Sequence, residues 1–250
     1  MKINKICRSL TRVAPLILVA MLLSAAAHAQ TVVGSVTELT GSAQVTRGGA
    51  TSPVTGAMPV DLHDSLTTAA DSHLTIRLND GSTLSLSEMS TLDINEQVIG
   101  PNGVRQSTKV GLLAGRVYAA VSSAISGSGT PTFQVNTPNA IAGVRGTSFN
   151  VSYASASPVC GDRPSSDVGV MVGEVGVSNA NGAGGGVIVS PGYETVVCAG
   201  EPPLPPGPLG LAGDGTGSGA TRGYSGAQPG TGGAPPPACP VCPACTGMKM

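Results

Sequence analysis

The amino-acid sequence predicts an all-β protein built from many short strands, and three observations carry that expectation. Apolar residues alternate with polar ones in several stretches, as at Leu74, Ile76 and Leu78, and a period of two puts such side chains on one face of a strand. Turn formers separate these stretches, with 36 Gly and 20 Pro in 250 residues. No segment after residue 30 sustains a helical period; Leu112 to Ile125 comes nearest, and Gly115 with the Val and Ser content weakens it. Many short strands at this spacing argue for a sandwich or a barrel. With no Trp, 2 Phe and 4 Tyr, the core must be built from Val, Leu, Ile and Ala.

Residues 1–29 read as a signal peptide. Lys2, Lys5, Arg8 and Arg12 form a positive segment, and Val13 to Ala27 a short apolar one. Ala27-His28-Ala29 fits the small-x-small rule for cleavage ahead of Gln30. The alternative is an uncleaved anchor, although a spanning helix needs about 20 apolar residues and this run is shorter. Cys7 precedes the apolar run, so it is misplaced for lipid attachment. The expected mature chain is exported, with no transmembrane segment, and lies in the periplasm or at the surface. Cleavage leaves 250 − 29 = 221 residues, enough for one well-cored domain with chain to spare. Lys+Arg total 13 against 14 Asp+Glu, and the basic residues left after cleavage are not clustered. A phosphate-binding surface needs clustered cations, so no nucleic acid is expected as a partner.

The body is expected over 30–199. Leu74, Ile76 and Leu78, then Asn79-Asp80-Gly81, then Leu84 and Leu86 make the clearest hairpin, because Asp-Gly supplies the positive φ angles of a tight turn. Leu92 and Ile94 suggest another strand. Gly111-Leu112-Leu113-Ala114-Gly115 reads as a turn before a strand with Val117, Tyr118 and Val121. Val170 and Val172, Gly173-Glu174, then Val175 and Val177 repeat the hairpin pattern. Val187, Val189, Pro191-Gly192, Val196 and Val197 close the body.

From Glu201 to Ala238 more than half of the residues are Pro or Gly. Such a segment buries too little apolar surface to offset its ordering entropy. Residues 200–238 are therefore expected to be a disordered linker, polyproline-like near Pro202-Pro203-Leu204-Pro205-Pro206, and 239–250 a cysteine-rich tail.

The segment Thr137 to Val151 is the most specific in the chain. Its Thr137, Pro138, Ala140, Val144, Arg145, Gly146, Thr147, Phe149 and Val151 resemble the core signature of the FecR domain family. Asn79-Asp80-Gly81-Ser82-Thr83-Leu84, Gly111 to Val117, Gly173 to Val177 and Ser190-Pro191-Gly192 resemble further family turns and strands in the same order, over about 34–197. Asp61-Leu62-His63-Asp64 departs from the family's usual Gly-Asp turn, and the Cys160–Cys198 region looks like an insertion. The resemblance implies a jelly-roll-like sandwich of short antiparallel strands. Full regulators of the family resemble a sigma-factor-interacting cytoplasmic segment, a transmembrane helix and this periplasmic domain. The present chain is expected to keep the docking or sensing part without the relay.

Val144 and Phe149 differ in phase, which would suit a bulge near Gly146. Arg145, in an apolar setting, must satisfy its planar fork on carbonyls or a carboxylate. It is expected to be a clamp between strands; the alternative is a part of a binding surface.

Five cysteines survive cleavage. Cys160 and Cys198 are candidates for a disulfide in an oxidising compartment. Cys239, Cys242 and Cys245 would line one face of a polyproline helix about 9 Å apart, which leaves three readings: a disulfide with one free thiol, a soft-metal site, or a covalent attachment point. His63 and His73 with Asp61, Asp64 and Asp71 could ligate a metal or could be solvated loop polarity. No nucleophile elbow, paired-carboxylate constellation or phosphate loop stands out, so no enzyme and no cofactor are expected. The leading function is a non-catalytic envelope module that docks a protein partner. A carbohydrate or peptidoglycan binder and a thiol-dependent metal or redox protein are the alternatives.

Overall fold

Inward apolar positions alternate with outward polar ones along most of the body, and the chain forms strands accordingly. The structure, a computed structural model, describes residues 31–100, 103–123 and 133–210. The strands are β1 (Val32–Thr40), β2 (Ala43–Arg47), β3 (Ala50–Pro53), β4 (Pro59–Asp61), β5 (Ser65–Thr68), β6 (His73–Leu78), β7 (Thr83–Leu86) and β8 (Thr91–Ile99). A strand of 16 residues follows, β9 (Arg105–Ala120). Then come β10 (Phe133–Asn136), β11 (Ala140–Val144), β12 (Ser148–Ser157), β13 (Arg163–Val172), β14 (Val175–Asn179), β15 (Val187–Val189), β16 (Tyr193–Cys198) and β17 (Gly207–Pro208). Among the described residues there is no α-helix, only the 3-10 turn Pro158–Cys160, and no helix is long and apolar enough to cross a membrane.

All strands belong to one hydrogen-bonded network, which the residue pairings divide into two sheets. Sheet I runs β4-β1-β6-β7-β9-β12-β13-β16-β17. Sheet II runs β3-β2-β5-β8-β9-β10-β11-β14-β15. Among the described residues every pairing is antiparallel except that of β9 with β10. Strand β9 belongs to both sheets: its first part pairs with β8 and β10 in sheet II, and from Gly115 it pairs with β7 and β12 in sheet I. The inward faces share one core, in which Leu74, Leu84, Val117, Phe149 and Val168 of sheet I meet Leu92, Val110, Leu112, Phe133 and Val177 of sheet II. Full burial of each such side chain contributes roughly 1.5–3 kcal/mol.

The chain changes sheet often, and each described passage between sheets contains a residue at positive φ. Gly41, Gly115, Gly146, Gly173 and Gly192 serve five of them; Ala57, His63, Asp71 and Met89, with φ from 51° to 70°, serve the others. Gly115 shows why the first group is glycine. Its φ is +77°, and a Cβ there would lie 2.7 Å from Ser90 Cα and 2.8 Å from the Met89 carbonyl oxygen.

These corners correct several expectations. Gly111 to Gly115 is not a turn but the middle of β9. Gly173-Glu174 does not close a hairpin: it joins β13 of sheet I to β14 of sheet II. Alternation alone cannot separate the two cases, because strands on either side of a corner still point their apolar residues into the same core. The Asn79-Asp80-Gly81 hairpin forms, with Arg77 opposite Thr83, but only Gly81 takes positive φ. The Pro-rich start of the expected linker also belongs to the body. Pro203 is buried, the Leu204 amide donates to the Val196 carbonyl at 2.9 Å, and β17 pairs with β16. The expected signal peptide, residues 211–250 and Cys239, Cys242 and Cys245 lie outside the described residues.

Left-handed φ costs a non-glycine residue about 1–2 kcal/mol. His63 is exposed at φ 70°, so His63→Gly is expected to raise the unfolding free energy by about 0.5–1 kcal/mol, the strain relief less the extra flexibility of the unfolded chain. Gly115→Ala is expected to lower it by about 3 kcal/mol or more. Urea unfolding of both variants measures the contrast; equal effects would mean that corner conformation does not matter.

Candidate functional site

The signature segment begins as a turn. β10 and β11 are joined through Thr137, Pro138 and Asn139, and the Thr137 amide donates to the Ala140 carbonyl at 2.8 Å. The Ala140 amide in turn donates to Thr137 Oγ1 at 2.8 Å. Pro138 has no amide hydrogen to satisfy, which suits this position. Thr137 Oγ1 shares a hydrogen bond of 2.6 Å with Ser166 Oγ on β13, Ser166 Oγ bonds Asn139 Oδ1, and Asn139 Nδ2 donates to the Val197 carbonyl on β16. A turn of sheet II is thereby stitched to two strands of sheet I, with its buried polar groups paired.

The Val144-Arg145-Gly146-Thr147 corner then carries the chain from sheet II into sheet I. Val144 ends β11 facing the core, and Phe149 enters the core from β12. Their difference in phase arises mainly from the change of sheet, with a ladder irregularity between Ser148 and Phe149. Gly146 has φ +76°, and a Cβ would lie 2.9 Å from Ser123 Cα. Thr147 is buried; its Oγ1 donates to the Glu174 carbonyl at 3.2 Å, and its carbonyl accepts from the Val121 amide at 2.9 Å.

Arg145 is half-buried and lies with Gly143, Gly146, Gly173, Glu174, Gly176 and Ile188 around an open recess of about 370 Å³.

The buried clamp is Arg105, which sequence reasoning did not single out. It is fully buried at the start of β9. Nη1 donates to Asp80 Oδ2 at 2.8 Å and to Ser82 Oγ at 3.0 Å, and Nη2 donates to the Ser122 carbonyl at 2.9 Å. The guanidinium carbon lies 5.6 Å from the centre of the Phe133 ring, within cation–π range. Asp80 and Ser82 come from the β6–β7 turn of sheet I, whereas Phe133 belongs to sheet II. The available signal was the Asp of the Asp-Gly-Ser turn, a carboxylate that needs a cation if the turn packs inward.

The candidate His/Asp residues divide between an ion-pair network and the surface. Arg47 takes Asp64 in a fork at 2.7 and 2.6 Å and Asp61 at 2.7 Å, while the Asp61 amide donates to Asp64 Oδ2 at 2.7 Å. His63, Asp71 and His73 are exposed. Among the described residues no three His, Cys, Asp or Glu side chains gather as a metal set.

Cys160 and Cys198 form a disulfide, with Cα atoms 5.5 Å apart, and with Val196 and Leu204 they make a small apolar cluster. Closing a loop of 38 residues stabilises by about 4 kcal/mol in the chain-entropy model. On the outer face of sheet I, burial raises the Asp167 carboxyl above the usual carboxylate range; Glu194 adds to the rise, and Ser152 and Arg116 oppose it. This cluster was also missed, because its members are far apart in sequence.

A buried ion pair that loses one partner leaves an uncompensated charge, at a cost of about 3–5 kcal/mol. Arg105→Ala is expected to cost that much in chemical unfolding, and Arg145→Ala about 1 kcal/mol or less. The reverse order would make Arg145 the stronger clamp of the two.

Residues 64–176 match the family model described as FecR protein. No curated protein matches the chain. Two crystal structures of a protein from Parabacteroides distasonis, which its description proposes as an anti-sigma factor, are similar at 19% identity with a TM-score of 0.44, covering 58% of this chain. The likeness spans 59% of that protein's own length. The matched segment begins at the Asp64 of the Arg47 fork and ends at Gly176 in the recess, and it contains both the Asp80–Arg105 pair and the whole signature. Over residues 64–176 the chain is therefore similar to the FecR family.

Proposed function

We propose that this protein is a non-catalytic, exported interaction or sensing module of the cell envelope, which docks another envelope protein at the Arg145 corner. The observation that carries this reading is the position of Arg145. Its signature neighbours Thr137, Thr147 and Phe149 are buried, whereas Arg145 is half-buried beside an open recess. Gly143 and Gly176 contribute to that recess. At Gly176 the φ is not left-handed and a Cβ would meet nothing closer than 3.7 Å, so neither conformation nor packing requires glycine there. Glycine inside a strand costs roughly 0.5–1 kcal/mol, and a bare surface that lets a partner's main chain approach is a reason to keep it.

Export rests on the signal-like residues 1–29 and is supported by the Cys160–Cys198 disulfide, since such bonds persist in oxidising compartments. The non-catalytic reading is supported by the use of the buried carboxylates: Asp61, Asp64 and Asp80 are each held by an arginine.

The test is affinity capture from envelope extract with the chain and with Arg145→Glu. A protein retained by the chain is expected to be lost by roughly tenfold with the variant, as for a reversed charge at an interface, while the melting temperature is unchanged. Equal capture by both forms would end this reading. A collapse of the melting temperature would instead make Arg145 a structural residue.

A further inference from the structure

We propose that the open edge of sheet II at β15 is a self-association surface, on which a second copy of this chain pairs β15 with β15 across a two-fold axis. This inference does not rest on the docking function proposed for Arg145. Among the described residues the two sheets have four edge strands, β4 and β17 in sheet I and β3 and β15 in sheet II. Three of them carry proline: Pro59 in β4, Pro208 in β17 and Pro53 in β3. Proline has no amide hydrogen to give to a ladder, and it is one of the ways in which proteins keep an edge from recruiting another strand. β15 is Val187-Ile188-Val189, with neither proline nor charge. Its ladder is with β14, and Ile188 is 62% exposed.

The choice of a second copy follows from the symmetry of the strand. A two-fold interface must be complementary to itself. Val-Ile-Val reads the same in both directions, so antiparallel pairing centred on Ile188 sets Ile188 against its counterpart and each Val against a Val. Facing β-branched residues are favourable cross-strand pairs. The flanks, Gly185-Gly186 before the strand and Ser190 after it, are small enough to let two backbones come together. The nearby recess carries one cation and one anion, Arg145 and Glu174, so this patch has no charge excess to repel its copy. Three residues a side fall well short of the roughly 800 Å² per partner of a stable complex, so the dimer is weak and forms as concentration rises.

Sedimentation equilibrium tests this on the mature chain with Cys239, Cys242 and Cys245 replaced by Ser, which prevents tail disulfides from linking copies. The average mass is expected to climb from monomer towards dimer with concentration. Ile188→Lys, which adds an edge charge at an exposed position, is expected to remain monomeric at every concentration with an unchanged melting temperature. A monomer throughout in the parent chain would overturn the proposal and leave the edge to a strand of another protein. Dimerisation that survives Ile188→Lys would overturn it as well, because the contact would then lie elsewhere.

Discussion

Strand β9 belongs to both sheets, and that shared strand determines how the sheets can meet. Leu112 faces the core from sheet II and Val117 from sheet I, so the inward set must change phase between them. Gly115 makes the change possible by adopting a conformation, and accepting a close approach to Ser90, that a side chain would prevent. The start of β9 is anchored as firmly as its middle. Arg105 reaches from the sheet II part of the strand to Asp80 and Ser82 in a sheet I turn. Burying an ion pair is costly unless its geometry is good and its remaining hydrogen-bonding groups are occupied, and Arg105 meets a carboxylate, a hydroxyl and a carbonyl.

The same logic recurs in the other buried polar groups. Arg47 of sheet II holds Asp61 of sheet I and the corner residue Asp64. Thr137 and Asn139 of sheet II hold Ser166 and Val197 of sheet I. Apolar contact between two β-sheets is largely non-directional, and it tolerates sliding better than three sets of directional bonds do. The polar stitches therefore fix the register of one sheet over the other, while the Val, Leu and Ile core supplies most of the stabilisation.

Much of this was legible in the sequence. Leu74 to Leu86 could be read as a hairpin because its period and its Asp-Gly turn are both local. The signature at Thr137 to Val151 pointed to the family through a fixed run of residues, and Cys160 with Cys198 pointed to a disulfide. The partners across space were not legible. Nothing near Arg105 in the chain names Asp80. The corner at Gly173 resembled a hairpin because both arrangements need a left-handed glycine between alternating strands. β1 to β5 carried too many polar and small residues to stand out before the structure placed Val33, Val36, Val45 and Leu66 in the core. Of the signature, the residues that pack could be recognised as a group, but the recess beside Arg145 emerged only from the geometry of its corner.

If β9 couples the two sheets, they must open together. Native-state hydrogen exchange of the β9 amides measures this directly, with Val110 and Leu112 reporting on sheet II and Val117 and Ala119 on sheet I. The expected result is one common opening free energy for both groups, equal to that of global unfolding. Two distinct opening free energies, with one half of β9 exchanging while the other stays protected, would contradict the account.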